Sequence, residues 1–441
     1  MVFKRKIYEK LLDWKTRFVG KKALLVRGAR RIGKSTIVEE FAKKEYKSYI
    51  LVNFQRDSAL VRDLFKYDLT DMDGFFRKLA LLYGVKLYDR ESVIIFDEVQ
   101  LFPLARQSIK QLVEDGRYDY IETGSLITLK QNVDKILIPS EERAIDMFPM
   151  DFEEYLWAIG DEVTVEAIRN SFETLTPLGD SVHRKILNAF RQYMVVGGMP
   201  QAVIELIENN NFSYVDEVKR DILDLYASDL KKLDNKYGLF TSVIFGAVAS
   251  ELSSHSRLFK ASVIGKNARV SRNYNSFEAI KDSMIVNIAY NVTDPNIGFA
   301  LTKDYGKQKI YMGDTGLLVT QIFRDSDKPI SDSVYKQLVL GKIGINMGMI
   351  CENVVAQMLR ASGRELYFHA FERYEIDFLT AEGKKLIPTE VKSSGYKSHI
   401  SIDKFCEKFS SRVKTSYVVY GKDLKREGNI TYIPFYMVPY I

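Results

Sequence analysis

Lys22-Ala23-Leu24-Leu25-Val26-Arg27-Gly28-Ala29-Arg30-Arg31-Ile32-Gly33-Lys34-Ser35-Thr36 passes from a short apolar segment, through two glycines, into a helical pattern that runs to Lys44. The first six residues read as a buried strand, and the stretch Ile32 to Lys44 as a helix that begins right after the glycines. Between them lies the eight-residue pattern G-x-x-x-x-G-K-[ST], which arises by chance about once in a hundred chains of this length. Gly28 and Gly33 let backbone N–H groups wrap a phosphate, and the helix N-terminus adds partial positive charge. Lys34 is expected to reach the β- and γ-phosphates of ATP or GTP, and the Ser35 hydroxyl to coordinate Mg²⁺.

Working outward, further strand-like runs occur at Ser48 to Phe54, Ser92 to Phe96 and Tyr118 to Thr123, with helical patterns between them. Strand alternating with helix predicts a parallel sheet. The run Ser92-Val-Ile-Ile-Phe-Asp97-Glu98 is an apolar strand that ends in two carboxylates. Asp97 suits a metal held through water. Glu98 suits a base that polarises an attacking water, which favours hydrolysis over mere binding. Thr123 and Ser125, at the end of Tyr120-Ile-Glu-Thr-Gly-Ser, are candidates for sensing the γ-phosphate. Arg143 is the candidate arginine finger. Trp14 is read as core, with stacking on a base as the alternative.

Composition sets outer limits. A chain of 441 residues exceeds what one hydrophobic core supports, so several domains are expected. With 46% apolar and 28% charged residues, and no long apolar run, it reads as soluble, without a signal peptide and cytoplasmic. Two cysteines, Cys351 and Cys406, form neither a disulfide framework nor a zinc site. The net charge of +6 is unevenly spread. Residues 256–309 hold nine Lys or Arg against four Asp or Glu, and residues 341–441 hold fifteen against eleven. An anionic polymer should therefore meet the second half of the chain.

After Phe148-Pro-Met-Asp-Phe-Glu-Glu-Tyr155 the pattern turns helical, with a break at Gly197-Gly198-Met199-Pro200, and continues to about Leu233. Three helices and a strand pair are expected between Leu239 and Met312, in the manner of a winged helix. Within it, Arg269, Arg272, Asn273 and Ser276 fall on one helical face, opposite Val270, Tyr274, Phe277 and Met284. Arg and Asn suit base edges, and Lys303, Lys307 and Lys309 suit phosphates, so this segment is the candidate DNA reader. Lys281 breaks the apolar stripe. Beyond residue 341, a helix carrying Glu352 precedes strands bearing Asp377 and the triplet Glu390-Val391-Lys392. Alternation puts Glu390 and Lys392 on one face, where Asp377 and Glu390 could share a divalent ion with Lys392 beside the attacking water. That order of groups resembles the PD-(D/E)XK nuclease fold.

Taken together, GARRIGKS, VIIFDEVQ, TGS, MFPMDFEEYL, GGMP and KIYMGDTGLL resemble a widespread prokaryotic group of AAA-family ATPases whose C-terminal region has no characterised function. The resemblance spans nearly the whole chain. It implies an α/β P-loop core (1–155), a helical lid or spacer (156–235), a winged helix (236–340) and a nuclease-like α/β domain (341–441). The expected activity is ATP hydrolysis with Mg²⁺, controlling a module that binds DNA through residues 256–309 and the C-terminal domain, with cleavage of that DNA as a further candidate activity. Further copies of the chain are a second partner considered, and a membrane is not. The alternatives are an ATP-switched scaffold with a vestigial nuclease domain, and a small-molecule phosphotransferase.

Overall fold

The apolar run before the glycine loop forms strand β1 (Ala23–Arg27), and the residues after it form the helix Lys34–Glu45. In this computed structural model, which describes residues 1–57, 59–125, 140–324, 328–340, 347–371, 374–393 and 400–441, the chain divides into two compact units, Met1–Phe148 and Pro149–Ile441.

The first unit is built on five parallel strands. β2 (Ser48–Asn53), β3 (Ser92–Asp97), β4 (Asp119–Gly124) and β5 (Glu142–Asp146) join β1 in the order β2-β3-β4-β1-β5. Leu24, Val26, Ile94, Ile95 and Ile121 are fully buried. Central strands covered on both faces have no solvent side to alternate with, so their sequences read as unbroken apolar runs. β4 lies between the glycine-loop strand β1 and the Asp97 strand β3, so the carboxyl ends of all three converge, where α/β sheets hold their ligands. Trp14, on the helix Ile7–Arg17, is buried and donates from Nε1 to the Lys22 carbonyl at 2.9 Å, which fits its reading as core.

The second unit begins with helices Phe152–Ala158, Glu162–Thr174, Asp180–Val196, Pro200–Asn209 and Phe212–Tyr237. An eight-stranded mixed sheet follows, made of β6 (Val286–Val292), β7 (Lys303–Met312), β8 (Leu366–Phe371), β9 (Tyr374–Glu382), β10 (Lys385–Val391), β11 (Ser416–Tyr420), β12 (Lys425–Glu427) and β13 (Ile430–Pro434). Its order is β12-β13-β11-β10-β9-β8-β6-β7. The helix Met347–Ala361 precedes β8, β9 and β10, which form an antiparallel meander, and the helix Ile400–Lys408 leads to β11, parallel to β10.

The expected division of this half into winged helix and separate tail does not describe the sheet. The hairpin β6–β7, expected as a wing, pairs in parallel with β8 through Ala289–Leu366, Tyr290–Tyr367 and Asn291–Phe368. The reason is burial: every residue of β6 is buried, so the strand needs a partner on both edges. The start expected for the tail at residue 341 lies outside the described residues. The first unit ends at Phe148, seven residues before the expected boundary.

Several of the quoted motifs are explained by packing within this unit. Asp151 and Glu154 form a reciprocal cap at the start of Phe152–Ala158, with the Glu154 N–H donating to Asp151 Oδ1 at 2.9 Å. The Met150 N–H donates to the Gly198 carbonyl at 2.7 Å, and the Gly198 N–H donates to Asp314 Oδ2 at 2.6 Å. Lys219, fully buried, donates to the carbonyls of Val195 at 2.8 Å and Gly316 at 3.2 Å. MFPMDFEEYL, GGMP and GDTGLL therefore meet at one buried polar junction. Among the described residues, no helix is long and apolar enough to cross a membrane.

Candidate functional site

At the end of β1 the chain turns through Gly28, where a Cβ would stand 2.4 Å from the Met147 carbonyl oxygen and 2.5 Å from Ile32 Cδ1, too close for any other residue. Gly33 sits at φ 91°, a conformation side-chain-bearing residues rarely adopt, and no side chain caps the helix it starts. The first N–H groups of Lys34–Glu45 are thus left for an anion. Ile32 is fully buried, so only its backbone faces a ligand. Its carbonyl is drawn away by Arg5 Nη1 at 2.8 Å, while Arg5 Nη2 holds the Phe148 carbonyl at 2.7 Å. Ala29 is buried and Arg31 and Thr36 are exposed, with Arg30 between these extremes.

Lys34 is buried and its Nζ donates to the carbonyls of Ala29 at 2.8 Å and Gly28 at 3.1 Å. Burial lowers its pKa to about 8, against the pull of Glu98 and Asp97 and with a small push from Arg30. Ser35 Oγ lies 2.5 Å from Asp97 Oδ1, which also accepts from Thr123 Oγ1 at 2.5 Å. Asn53 Nδ2 donates to Asp97 Oδ2 at 2.7 Å. Three neighbouring side chains thus fix one carboxylate. A hydroxyl and a carboxylate converging in this way are the hard oxygen donors Mg²⁺ prefers, and the uncapped N–H groups suit a polyphosphate, so the residues present fit both ligands.

Glu98 stands at φ 56°, an uncommon conformation for a non-glycine residue, and accepts a hydrogen bond from Gln100 Nε2. Its N–H faces Thr123 Oγ1 at 3.4 Å. Of the two proposed sensors, Thr123 is the one brought onto Asp97; Ser125 is buried nearby in sequence. Arg143, on edge strand β5, is exposed, and its guanidinium lies 4.2 Å from the Phe18 ring centroid. Asn53 and Arg5 were not singled out from the sequence. Asn53 could have been found, since it ends a strand neighbouring Asp97; Arg5 lies outside any motif.

The second expected site is arranged differently. Glu352 is fully buried on the helix Met347–Ala361, which packs across β6, β7, β8 and β10. There it meets Lys309 Nζ at 2.8 Å, and also Arg257 and the Tyr311 hydroxyl. Burial, with Asp377 and Glu375 close by, pushes the Tyr311 pKa well up, so its hydroxyl donates. Lys309 Nζ also lies 2.6 Å from Glu375 Oε1 and 3.9 Å from Asp377 Oδ1. Asp377 Oδ2 accepts from the Val391 N–H at 2.8 Å, and Glu390 pairs with Lys392. Glu352, Glu375 and Asp377 are therefore gathered, but around an ammonium group. Among the described residues, no group of three or more His, Cys, Asp or Glu is placed to hold a metal ion. Each carboxylate of the expected Asp377–Glu390 metal pair faces a cation here: Lys309, from β7, stands by Asp377, and Lys392, just past the end of β10, pairs with Glu390. Lys309, expected to touch phosphate, is fully buried and cannot.

The expected recognition helix is also corrected. Arg269 is extended, Val270–Asn273 is a 3₁₀ turn, and the α-helix begins at Tyr274. Arg269 and Arg272 are exposed, whereas Asn273 Nδ2 bonds back to the Arg269 carbonyl at 2.9 Å and Ser276 is buried. Phe277 and Ile280 draw Tyr274–Asp282 onto the core, which shortens the helix to the part that packs.

Residues 20–156 match the model of an AAA domain; residues 187–328 and 347–438 match two domains of unknown function. An uncharacterized protein of Methanocaldococcus jannaschii is 21% identical, over 94% of this chain and 84% of its own. Among solved structures, a Walker-type ATPase of Pyrococcus abyssi aligns at 15% identity and a TM-score of 0.42, covering 73% of this chain and 96% of that one. The RuvB Holliday junction branch migration motor of Thermotoga maritima aligns at 12% identity and a TM-score of 0.28, covering 63% and 84%. By the family match, residues 20–156 are an AAA-type domain, and the strands of the first unit form a parallel sheet.

Proposed function

We propose that the Met1–Phe148 unit binds ATP with Mg²⁺ and hydrolyses it. The observation that carries this reading is the 2.5 Å approach of Ser35 Oγ to Asp97 Oδ1 beside an uncapped helix N-terminus. Backbone N–H groups of residues 28–36 hold the phosphates, and Lys34 exchanges its two carbonyl partners for phosphate oxygens. Ser35 and Asp97 hold the ion, which when bound supplies charge neutralisation between the phosphates. Glu98 polarises the attacking water, and Thr123, with Ser125, reports the γ-phosphate through Asp97. Titration with a fluorescent ATP analogue, with a phosphate-release assay, tests this: the wild type binds and turns over, and Lys34→Ala does neither. Unaltered binding by Lys34→Ala would reject it.

In the same reading, nucleotide state controls a second unit that engages nucleic acid. Its support is the net +5 of residues 256–309 and the exposure of Arg269 and Arg272, whose side chains have no partner among the described residues. The helix, three-strand meander, helix and parallel strand around Glu352, Asp377 and Glu390 support the nuclease-like resemblance of the tail. For that tail, Lys309 favours binding without cleavage: an ammonium lies among the carboxylates that a catalytic ion would need. Self-association belongs to this reading as well, and sedimentation at saturating ATP checks it.

A further inference from the structure

Beside the 3₁₀ turn at Val270–Asn273 lies a cavity of about 520 Å³ whose walls include Lys260, Arg269, Lys307, Tyr274 and Tyr305. Among the described residues, no Asp or Glu lines it. The three cations are exposed, and their side chains have no hydrogen-bond or ion-pair partner among the described residues. This sets them apart from nearby Lys281, which pairs with Glu365 at 3.3 Å, and from Lys309. Two carboxylates next to its wall residues are turned to backbone: Glu251 Oε2 accepts from the Lys260 N–H at 2.9 Å, and Asp304 Oδ1 from the Gly306 N–H at 2.8 Å. The cavity is therefore a basic recess that no described carboxylate lines.

Its aromatic rings are built in rather than incidental. Tyr305 is 46% exposed, yet it is held edge-on by Tyr274 and Tyr290, each at 5.8 Å between centroids. Lys303 Nζ stands 4.5 Å from the Tyr305 centroid and 3.4 Å from that of Tyr290. Tyr274, 42% exposed, presents a second ring at the same opening. By contrast, the helix Tyr274–Asp282 is poorly suited to a duplex groove. It bears Glu278 and Asp282 beside one lysine, which is already paired. Half-exposed rings ringed by unpaired cations are the elements that hold unstacked bases and their phosphates.

We propose that this cavity takes an unpaired base of a single-stranded nucleic acid, stacked on Tyr305 or Tyr274, with the flanking phosphates on Lys260, Arg269 and Lys307. The proposal rests on the reading that the second unit engages nucleic acid, and it replaces duplex groove reading with single-strand capture. Deoxy and ribo strands share the required chemistry.

The test is fluorescence anisotropy on the full chain, with and without ATP and Mg²⁺. The probes are labelled oligothymidylate, oligouridylate, an abasic strand of equal length and a duplex. Either homopolymer should bind more tightly than the duplex and the abasic strand, and their ratio identifies the natural source. Tyr305→Ala or Tyr274→Ala should weaken single-strand binding by about 5- to 150-fold, the factor one stacked base contributes, and Tyr305→Phe should restore it. Arg269→Ala should flatten the slope of log K against log salt by about 0.7. Duplex binding as tight as single-strand binding, unchanged by the tyrosine variants, would overturn this inference and leave nucleic-acid engagement standing. Abasic binding as tight as oligothymidylate would overturn the stacking. If no polymer binds in either nucleotide condition, the underlying reading fails too.

Discussion

Lys309 Nζ lies 2.8 Å from Glu352 Oε1, and neither side chain has any exposed surface. The pair joins β7 to the helix Met347–Ala361 across 43 residues of sequence. Removing one member of a buried ion pair leaves the other charge uncompensated, which costs about 3–5 kcal/mol. Lys309→Met should therefore lower the stability of the second unit by that amount in urea unfolding. An unchanged midpoint would show that Arg257 and Tyr311 suffice for Glu352.

The same ammonium predicts the outcome of a nuclease assay. With Lys309 among Glu352, Glu375 and Asp377, single- and double-stranded DNA and RNA should stay intact in Mg²⁺ or Mn²⁺, with and without ATP. Cleavage that disappears in Asp377→Ala while ATP turnover persists would reverse this and restore the metal pair expected from the sequence.

Glu122, on β4, is fully buried, and burial followed by the neighbouring Glu142 pushes its pKa well above the ordinary range, against the pull of Arg106. A carboxyl raised in the fold contributes stability below its unfolded pKa near 4.5, and that contribution is lost as pH rises toward the folded value. Glu122→Gln stays neutral. Its unfolding free energy should match the wild type below about pH 4.5 and exceed it increasingly above, by up to about 1.4 kcal/mol per pH unit. A constant difference across pH would contradict the buried protonated form.

Asp314 accepts from the Gly198 N–H at 2.6 Å and the Leu317 N–H at 3.0 Å, in a buried position. Asp314→Ala orphans both donors, at about 1–3 kcal/mol each, and should shift the urea midpoint of the second unit accordingly. Asp314→Asn keeps one acceptor and should lose less. Equal midpoints for all three proteins would mean that water replaces the carboxylate.

What could be read from the sequence was what is local in it. Residues 28–35 are contiguous, and Asp97 ends, with Glu98 just beyond, a strand whose first five residues announce it. The position of β4 between β1 and β3, which brings Thr123 to Asp97, depends on strand order, and no local pattern encodes that. Lys309 looked like a surface lysine because its partners, Glu352 and Glu375, are 43 and 66 residues away. The helix expected over 269–284 shows the opposite error. Its apolar period is real, but only Tyr274–Asp282 packs, and the residues before it tighten into a 3₁₀ turn beside the cavity.

The central claim, that Glu98 drives hydrolysis at a site held by Lys34, Ser35 and Asp97, is tested most directly by measuring ATP affinity and phosphate release together in Glu98→Gln. The glutamine leaves the glycine loop and Asp97 in place, so affinity should stay near the wild-type value. Turnover should fall by about 10²- to 10⁴-fold, the range lost with a positioned base. Equal turnover in wild type and Glu98→Gln would contradict the account.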